Sequence, residues 1–305
     1  MSSELPIACA VNRAYVLPLA VMLESLRLRL RPDVRPVLYL LHSVLSRQVV
    51  EMLGSLVETH AIVPSDAQLA AAPHDARLPR EASFPLLLPE VLPRHLERIL
   101  FLDADLLVLE DLVKLWETPL DRSVLAATPD AAVPRCSAPR GVKGWKARGI
   151  PPSAPYFNGG VLLIHLERWR ERGVTRRVQE YFSATREPID FLHQEALNAV
   201  LWDDWLPLEP RWNLPASSAG RPYESPASEA WLHPGVIHFS GRMKPWRTPV
   251  GGPFYAPYRE VLERVRPQFS TEPPTVRERL QSVYDRHLRA ACYPLERYLW
   301  RQRLI

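Results

Sequence analysis

The sequence predicts an α/β fold built on a largely parallel sheet with flanking helices. Two observations support this expectation. Short apolar runs of strand length alternate with helix-like segments through the first third of the chain, and this β-α-β-α-β order favours a doubly wound sheet. The strongest apolar run, Arg98–Leu102, ends directly in a pair of carboxylates. Ligands of open α/β sheets bind beyond the carboxyl ends of strands, so this pair marks the expected site.

The elements of the first third follow from apolar periodicity. Residues 15–30 and 46–58 carry apolar side chains at helical spacing, and Ser46 is a suitable N-cap for the second helix. A proline-rich connector leads to a further apolar run over 86–92, before the strand that ends in the carboxylates. The other expected strands are residues 7–11, 36–41 and 61–63.

The second half of the chain is less regular. Residues 131–155 are rich in proline, glycine and basic side chains and are expected as a long loop, and residues 242–257 are expected to be irregular. Residues 156–166 are expected as a turn followed by a strand. The remaining expected elements are helices at 167–181 and 190–202 and short strands at 205–208 and 236–239.

The charge is divided unevenly along the chain. The formal net charge is +4, and residues 275–305 contain seven arginines against three acidic residues, which leaves the body neutral. A neutral body lacks the basic face that duplex nucleic acid requires, so we expect no nucleic-acid partner. No clean linker divides residues 1–270, which predicts one domain there and a basic, aromatic, helical tail over 271–305.

The basic tail, the cysteines and the N-terminus predict the cellular location of the protein. Arginine interleaved with tyrosine and tryptophan over 275–305 favours an anionic membrane surface, and the alternative is a helix packed on the domain. Three cysteines without CxxC spacing, no signal-like N-terminus and no apolar run of roughly 18–20 residues predict a reducing compartment without a membrane span. We therefore expect a cytoplasmic protein, peripheral on the cytoplasmic membrane face where the tail binds.

Asp103 and Asp105 are candidate ligands of a divalent cation. Two carboxylates one residue apart after a buried strand supply the oxygen ligands that Mg²⁺ and Mn²⁺ prefer, whereas the alternative is an ordinary loop turn. His238 would add an imidazole nitrogen, which favours Mn²⁺. It opens the segment HFSGRMKPW, where Gly241 would let the backbone approach a phosphate and Lys244 would add a compact positive charge.

Two further blocks carry polar side chains. The segment YFNGGVLLI has the asparagine and glycines of a turn, and in a functional interpretation Asn158 and the glycine backbone face a sugar. The segment HQEALN, residues 193–198, lies near the start of an expected helix, where polar side chains are also ordinary surface residues.

In this order, four blocks resemble glycosyltransferase family 8, the family of glycogenin and of bacterial transferases that extend lipopolysaccharide. They are RILFLDADLLVLEDLVKLWETPL, YFNGGVLLIHLERWR, HQEALN and HFSGRMKPW, and the resemblance runs from about residue 7 to about residue 250. It implies a GT-A fold and a retaining, Mn²⁺-dependent (or Mg²⁺-dependent) transfer of a hexose from a UDP-sugar. Galactose or glucose is the sugar expected, and a glycan or lipid-linked glycan is the acceptor expected.

The resemblance also implies a role for each matched residue. The metal ligands would be Asp103, Asp105 and His238. The catalytic residues would be Gln194, nearest the reacting carbon, with Asp130 and Asn158. The donor would contact Ala8, Asn12, Ala104, Gly159, His193, Gly241 and Lys244, the first two at the uridine and the last two at the diphosphate.

Four positions depart from the family pattern. Ala10 replaces an acid that binds uracil, Arg13 a stacking tyrosine, Pro85 an arginine aimed at the diphosphate, and His193 an acid before the glutamine, for which Asp190 is a nearby substitute. These changes affect recognition of the base, the phosphates and the sugar, and they spare the metal ligands. They leave open a catalytically weak or inactive relative that binds a sugar nucleotide or a partner glycosyltransferase.

A nucleotidyltransferase that makes sugar nucleotides is the nearest alternative enzyme class. It would also combine a metal with an α/β sheet, but it should carry a glycine-rich basic loop after the first strand. Residues 10–15 contain no glycine, which disfavours this class.

Overall fold

The computed structural model describes residues 3–72, 79–216, 229–241, 244–247 and 254–269. The expectations for the tail over 271–305 concern residues outside this part, as do Arg242 and Met243 of the HFSGRMKPW segment.

The main sheet is largely parallel, which confirms the predicted fold class. Its strands are β1 (Ser3–Ala10), β2 (Val34–Leu41), β3 (Glu58–Ile62), β4 (Arg98–Leu102), β6 (Leu125–Pro129), β7 (Phe157–His165) and β8 (Trp205–Pro207). Among the described residues their order is β3-β2-β1-β4-β7-β6-β8. β7 runs antiparallel to β4 and β6, and the other pairings are parallel.

A smaller sheet lies beyond the carboxyl end of β4. It consists of β5 (Leu106–Val108), β9 (Leu214–Pro215) and β10 (Val236–His238). β10 is antiparallel to β5 and parallel to β9. Because only three residues separate the end of β4 from the start of β5, this small sheet brings distant segments of the chain to the edge where the carboxylates lie.

Helices cover both faces of the main sheet. They are α1 (Val16–Arg29), α2 (Arg47–Gly54), α3 (Asp66–Ala71), α4 (Leu88–Val91), α5 (Val113–Trp116), α6 (Leu166–Glu171), α7 (Val174–Ala184), α8 (Leu192–Leu201), α9 (Glu229–Leu232) and α10 (Tyr255–Phe269). Short 3-10 helices span Arg13–Tyr15, Arg80–Leu87 and Pro210–Asn213. Alternate strand residues point to opposite faces, so Ile7 and Cys9 belong to the apolar cluster that includes α1 and α10, whereas Ala8 belongs to the cluster that includes α7 and α8.

The structure corrects three expected boundaries. The helix expected over 46–58 begins at its predicted cap, where the Ser46 side chain accepts a hydrogen bond from Val49 N, but it ends at Gly54 because β3 starts at Glu58. The helix expected over 167–181 is two helices, α6 and α7, with Gly173 at the N-cap of the second. The irregular segment expected over 242–257 includes the start of α10, which packs against α1.

The expected turn at Asn158-Gly159-Gly160 is also wrong, because these residues lie within β7. The strand is paired on both sides, by β4 and by β6, and these pairings outweigh the local turn preference of asparagine and glycine. The loop expected over 131–155 contains no helix or strand among the described residues, as predicted, and a single bridge joins Arg135 to Pro155 near its ends.

Candidate functional site

Asp103 and Asp105 follow β4 directly, at the carboxyl edge of the main sheet. Asp103 N donates a hydrogen bond to Gly160 O on β7 at 2.8 Å, and Phe239 N donates to the main-chain oxygen of Asp105 at 2.9 Å. The pairing of β5 with β10 brings His238 alongside the two carboxylates. Main-chain hydrogen bonds therefore bring three distant segments together at one place.

The side chains of these three residues converge, and we call Asp103, Asp105 and His238 the cation cluster. His238 Nε2 lies 3.4 Å from Asp105 Oδ1 and 3.7 Å from Asp103 Oδ2. One ligand atom from each residue lies within 4.8 Å of the other two. A Cβ on Gly160 would lie 2.4 Å from His238 Cε1, so only glycine permits this approach. Two carboxylate oxygens and one imidazole nitrogen are a donor set that fits Mn²⁺ or Mg²⁺.

The two carboxylates dominate the electrostatics of the cation cluster. Burial alone would lower the pKa of His238, but the Asp105 and Asp103 carboxylates outweigh it and raise this pKa. Burial also favours protonation of Asp105, yet His238 and Lys244 hold the pKa of Asp105 well below its usual range. Burial and the Asp105 charge raise the pKa of Asp103. A bound cation would relieve the repulsion between the two carboxylates.

Lys244 and Gly241 lie beside the cation cluster. Lys244 Nζ donates to Asp105 Oδ2 at 2.5 Å and to Phe239 O at 2.8 Å. Gly241 has a φ of +89°, which favours glycine, and among the described residues no atom beyond its chain neighbours lies within 4 Å of the position where a side chain would begin. An ammonium group and the exposed backbone of Gly241 therefore lie where an anion could meet them.

A second set of polar side chains surrounds Asp130, at the end of β6. Asp130 Oδ1 accepts two main-chain N–H groups of the following turn, at 2.7 and 2.8 Å. Asp130 Oδ2 accepts from Asn158 Nδ2 at 2.8 Å and from Gln194 Nε2 at 3.1 Å. Gln194 Oε1 accepts from Gly159 N at 2.8 Å. We call Asp130, Asn158, Gly159 and Gln194 the Asp130 network, which joins the predicted catalytic residues.

His193 precedes Gln194 on α8, at the position where the family pattern has an acid. Its Nδ1 donates to Ala82 O at 3.0 Å, and its Nε2 is buried without a hydrogen-bond partner among the described residues. Asp190, the nearby acid, is engaged elsewhere: it pairs with Lys143 at 3.0 Å and with Arg140 at 3.9 Å.

The implied donor contacts Ala8 and Asn12, at the uridine, and Ala104, beside the carboxylates, differ in access. Ala8 is fully buried and Ala104 is 5% exposed, so neither side chain offers surface to a donor. Asn12 is half-buried at the end of β1, and its side chain accepts a hydrogen bond from Ala14 N at 3.0 Å. Among the departures, Arg13 is exposed and Pro85 is buried in a 3-10 helix.

The model of glycosyl transferase family 8 matches residues 6–249. The chain belongs to this family.

Solved structures share the family fold expected for the chain. The galactosyltransferase LgtC, in complex with donor and acceptor sugar analogues, superposes with a TM-score of 0.72 at 22% identity, over 88% of this chain and 98% of that one. The glycosyltransferase GlyE of Streptococcus pneumoniae TIGR4 superposes with a TM-score of 0.60 at 20% identity, over 87% and 64%. The mixed, mostly parallel sheet with flanking helices is the expected GT-A fold.

Relatives of this family 8 chain are similar over part of their length. General stress protein A of Bacillus subtilis (strain 168) is 29% identical over 201 residues, which is 61% of this chain and 66% of that protein. Probable galacturonosyltransferase-like 3 of Arabidopsis thaliana is 30% identical over 169 residues, 52% of this chain and 48% of that protein. The chain thus matches between about half and two thirds of these relatives.

Three residues beside the site were not predicted. Asn213 accepts a hydrogen bond from His238 Nδ1 at 2.9 Å, and its segment carries no motif that predicts this contact. The rings of Tyr15 and Trp246 meet edge to face with centroids 5.6 Å apart, and burial raises the pKa of Tyr15. Trp246 ends the HFSGRMKPW block, whereas Tyr15 ends the 3-10 helix that follows β1 and lies outside the four blocks.

The described part of this chain has no helix with the length and apolar character needed to cross a bilayer.

Proposed function

We propose that this family 8 chain transfers a hexose, galactose or glucose, from a UDP-sugar to a glycan or lipid-linked glycan acceptor. The reaction would retain the anomeric configuration and depend on Mn²⁺, with Mg²⁺ as the other candidate. The observation that supports it best is the convergence of the cation cluster, Lys244 and the Asp130 network at one edge of the sheet. A cation, a diphosphate and a sugar would each have separate partners there.

The diphosphate of the donor would lie beside Lys244 and the Gly241 backbone. Lys244 Nζ would exchange its bond to Asp105 for a phosphate oxygen, because a leaving diphosphate carries more negative charge than a carboxylate shared with a metal. A cation held by Asp103, Asp105 and His238 would supply further neutralisation of the charge that develops as the sugar departs. Asn12 and the ring of Tyr15 would meet the uracil.

The Asp130 network would hold the sugar without attacking it. Asp130 accepts four hydrogen bonds, which occupy the lone pairs that a nucleophile needs, and Gln194 is neutral. We therefore propose attack from the leaving-group face. The bond between the anomeric carbon and the diphosphate oxygen breaks, the acceptor oxygen bonds to the same face of that carbon, and the acceptor proton passes to the leaving phosphate oxygen. Detection of a sugar covalently bound to any residue would contradict this step.

The test is hydrolysis of the donor, because hydrolysis needs no acceptor. Purified protein is incubated with UDP-galactose, UDP-glucose or UDP-galacturonic acid, the last because probable galacturonosyltransferase-like proteins are among the relatives. We expect UDP release from one donor, dependent on Mn²⁺ or Mg²⁺ and abolished by EDTA. Calorimetric binding of UDP and Mn²⁺ without release from any donor would instead support the non-catalytic alternative.

We further propose that the protein is cytoplasmic and that residues 275–305 bring it to an anionic membrane surface. Seven arginines with interleaved tyrosine and tryptophan support this proposal. Liposomes that contain anionic lipid should bind the full chain at low salt and release it at high salt. Equal binding by a chain without residues 275–305 would contradict the proposal.

A further inference from the structure

Both ring nitrogens of His238 have neighbours within reach, and only one of them faces the carboxylates of Asp103 and Asp105. Nε2 lies toward Asp105 and Asp103. Nδ1 lies 2.9 Å from Asn213 Oδ1, on the opposite side of the ring. Asn213 is 4% exposed, so this contact is made away from water. The proton on the ring is therefore determined by what Asn213 presents to it.

The donor and acceptor of each hydrogen bond around Asn213 follow from one main-chain N–H group, which can only donate. Gly160 N is a main-chain donor, and it donates to Asn158 Oδ1 at 2.9 Å. Because Asn158 Oδ1 is thus an acceptor, Asn213 must present Nδ2 to it, at 2.8 Å. Asn213 Oδ1 then faces His238, and an amide oxygen accepts only, so His238 Nδ1 carries the proton. In the neutral ring, Nε2 then carries the lone pair and faces the carboxylates.

The backbone around Asn213 fixes this amide in place. Asn213 ends the 3-10 helix Pro210–Asn213 and leads into β9, which pairs with β10 beside His238. Gly235 N donates to Arg211 O at 2.9 Å and so joins the same turn to the start of β10. Asn213 and His238 are therefore positioned by one small sheet.

We propose that Asn213 is a positioning residue that fixes the orientation and tautomer of His238 and links the cation cluster to the Asp130 network through Asn158. The proposal rests on the cation-binding part of the proposed function. The metal-bound nitrogen of a histidine ligand is ordinarily set by a hydrogen bond to the other ring nitrogen, and loss of that partner typically costs 10–100-fold in metal affinity. Here the partner is an asparagine amide that also reaches the residues around Asp130.

Two substitutions separate the two contacts of Asn213. Asn213→Ala removes the acceptor for His238 and the donor for Asn158, and we expect Mn²⁺ affinity, measured by electron paramagnetic resonance without nucleotide, to fall roughly 10–100-fold. Asn213→Asp keeps an acceptor for His238 Nδ1 but offers no donor to Asn158 Oδ1. We expect this variant to retain Mn²⁺ affinity near the wild-type value while donor hydrolysis falls.

A control and a spectroscopic measurement distinguish positioning from general destabilisation. Thr175→Val removes the hydrogen bond from Trp169 Nε1, 3.1 Å long and remote from the site, and should leave Mn²⁺ affinity unchanged. Long-range proton–nitrogen spectra at high pH, with the His238 signal identified by its loss in His238→Gln, should show the proton on Nδ1 in the wild type. We expect this preference to disappear in Asn213→Ala and to persist in Asn213→Asp.

The proposal is overturned if Asn213→Ala keeps the wild-type tautomer and Mn²⁺ affinity, or if the wild-type protein binds neither Mn²⁺ nor Mg²⁺. It survives a failure of the proposed function, since a protein that binds Mn²⁺ but hydrolyses no UDP-sugar still permits every binding and tautomer measurement.

Discussion

The cation cluster and the Asp130 network lie at the same edge of the sheet but are held in place by different forces. In the cluster, charge dominates the interactions among the side chains. The pKa values of Asp103 and His238 are raised, and the pKa of Asp105 is lowered. In the network, the side chains are set by directional hydrogen bonds. Asp130 accepts from two main-chain N–H groups and from two side-chain amides, and the oxygen of each amide accepts in turn from a glycine N–H. In the proposed function, the cluster would therefore stabilise developing charge and the network would hold a sugar in one orientation.

The largest loss of donor hydrolysis should come from substitution of a residue in the cation cluster. Asp105→Ala removes the ligand that contacts both His238 and Lys244, and we expect donor hydrolysis to fall by roughly 10³-fold or more. Glu51→Ala, which removes an exposed carboxylate paired with Arg47, is the matched control and should behave as wild type. Retained turnover in Asp105→Ala, with or without Mn²⁺, would overturn the assignment of the cluster.

The Asp130 network should give a smaller loss of a different kind. Asp130→Asn places an amide where Asn158 and Gln194 both donate, and we expect hydrolysis to fall about 10²-fold because the sugar is no longer oriented. Mn²⁺ affinity should stay near wild type, since Gly160 N still fixes Asn158. Asp190→Asn is the control, because Asp190 pairs with Lys143 outside the network. An equal loss of Mn²⁺ affinity in Asp130→Asn would mean that the two regions are not separate.

The pH dependence of cation binding should reveal the charged character of the cluster. The pKa of His238 is raised, so a proton on His238 competes with the metal, and Mn²⁺ affinity should fall as pH drops through that raised pKa. Asp103, whose pKa is also raised, adds a second proton at lower pH, whereas Asp105, whose pKa is lowered, keeps its charge. Titrations between about pH 8 and about pH 6 should show affinity falling by up to about tenfold per unit. A flat profile would show that His238 is not a ligand.

Substitution of Tyr15, the proposed contact of the uracil, should have the smallest effect on donor hydrolysis. Tyr15→Ala removes the aromatic ring beside Trp246, and we expect the KM for the donor to rise roughly tenfold with little change in kcat, because stacking on a base contributes about 1–3 kcal/mol. Tyr15→Phe keeps the ring and should resemble wild type. If both variants resemble wild type, the uracil binds elsewhere.

The same contrast explains what could be predicted from the sequence. Asp103 and Asp105 directly follow a buried strand, and His238 and Lys244 lie within one short segment. Each pair could therefore be recognised from residues close together in the sequence. The Asp130 network joins β6, β7 and α8 through side-chain hydrogen bonds, and only the family resemblance grouped Asp130, Asn158 and Gln194. Asn213 could not be predicted, because its role depends on which atom of an amide faces His238. The turn expected at Asn158 failed for a related reason, since pairing with β4 and β6 is a tertiary effect.

The central claim is that one cation, held by Asp103, Asp105 and His238, joins the protein to the diphosphate of its donor. The direct test is a titration of the wild-type protein with UDP, at saturating Mn²⁺ and again in EDTA, with the reciprocal Mn²⁺ titration at saturating UDP. We expect one Mn²⁺ per chain, and each ligand should tighten the other by the same factor, as linkage requires. A UDP affinity that does not change with Mn²⁺ would contradict the claim.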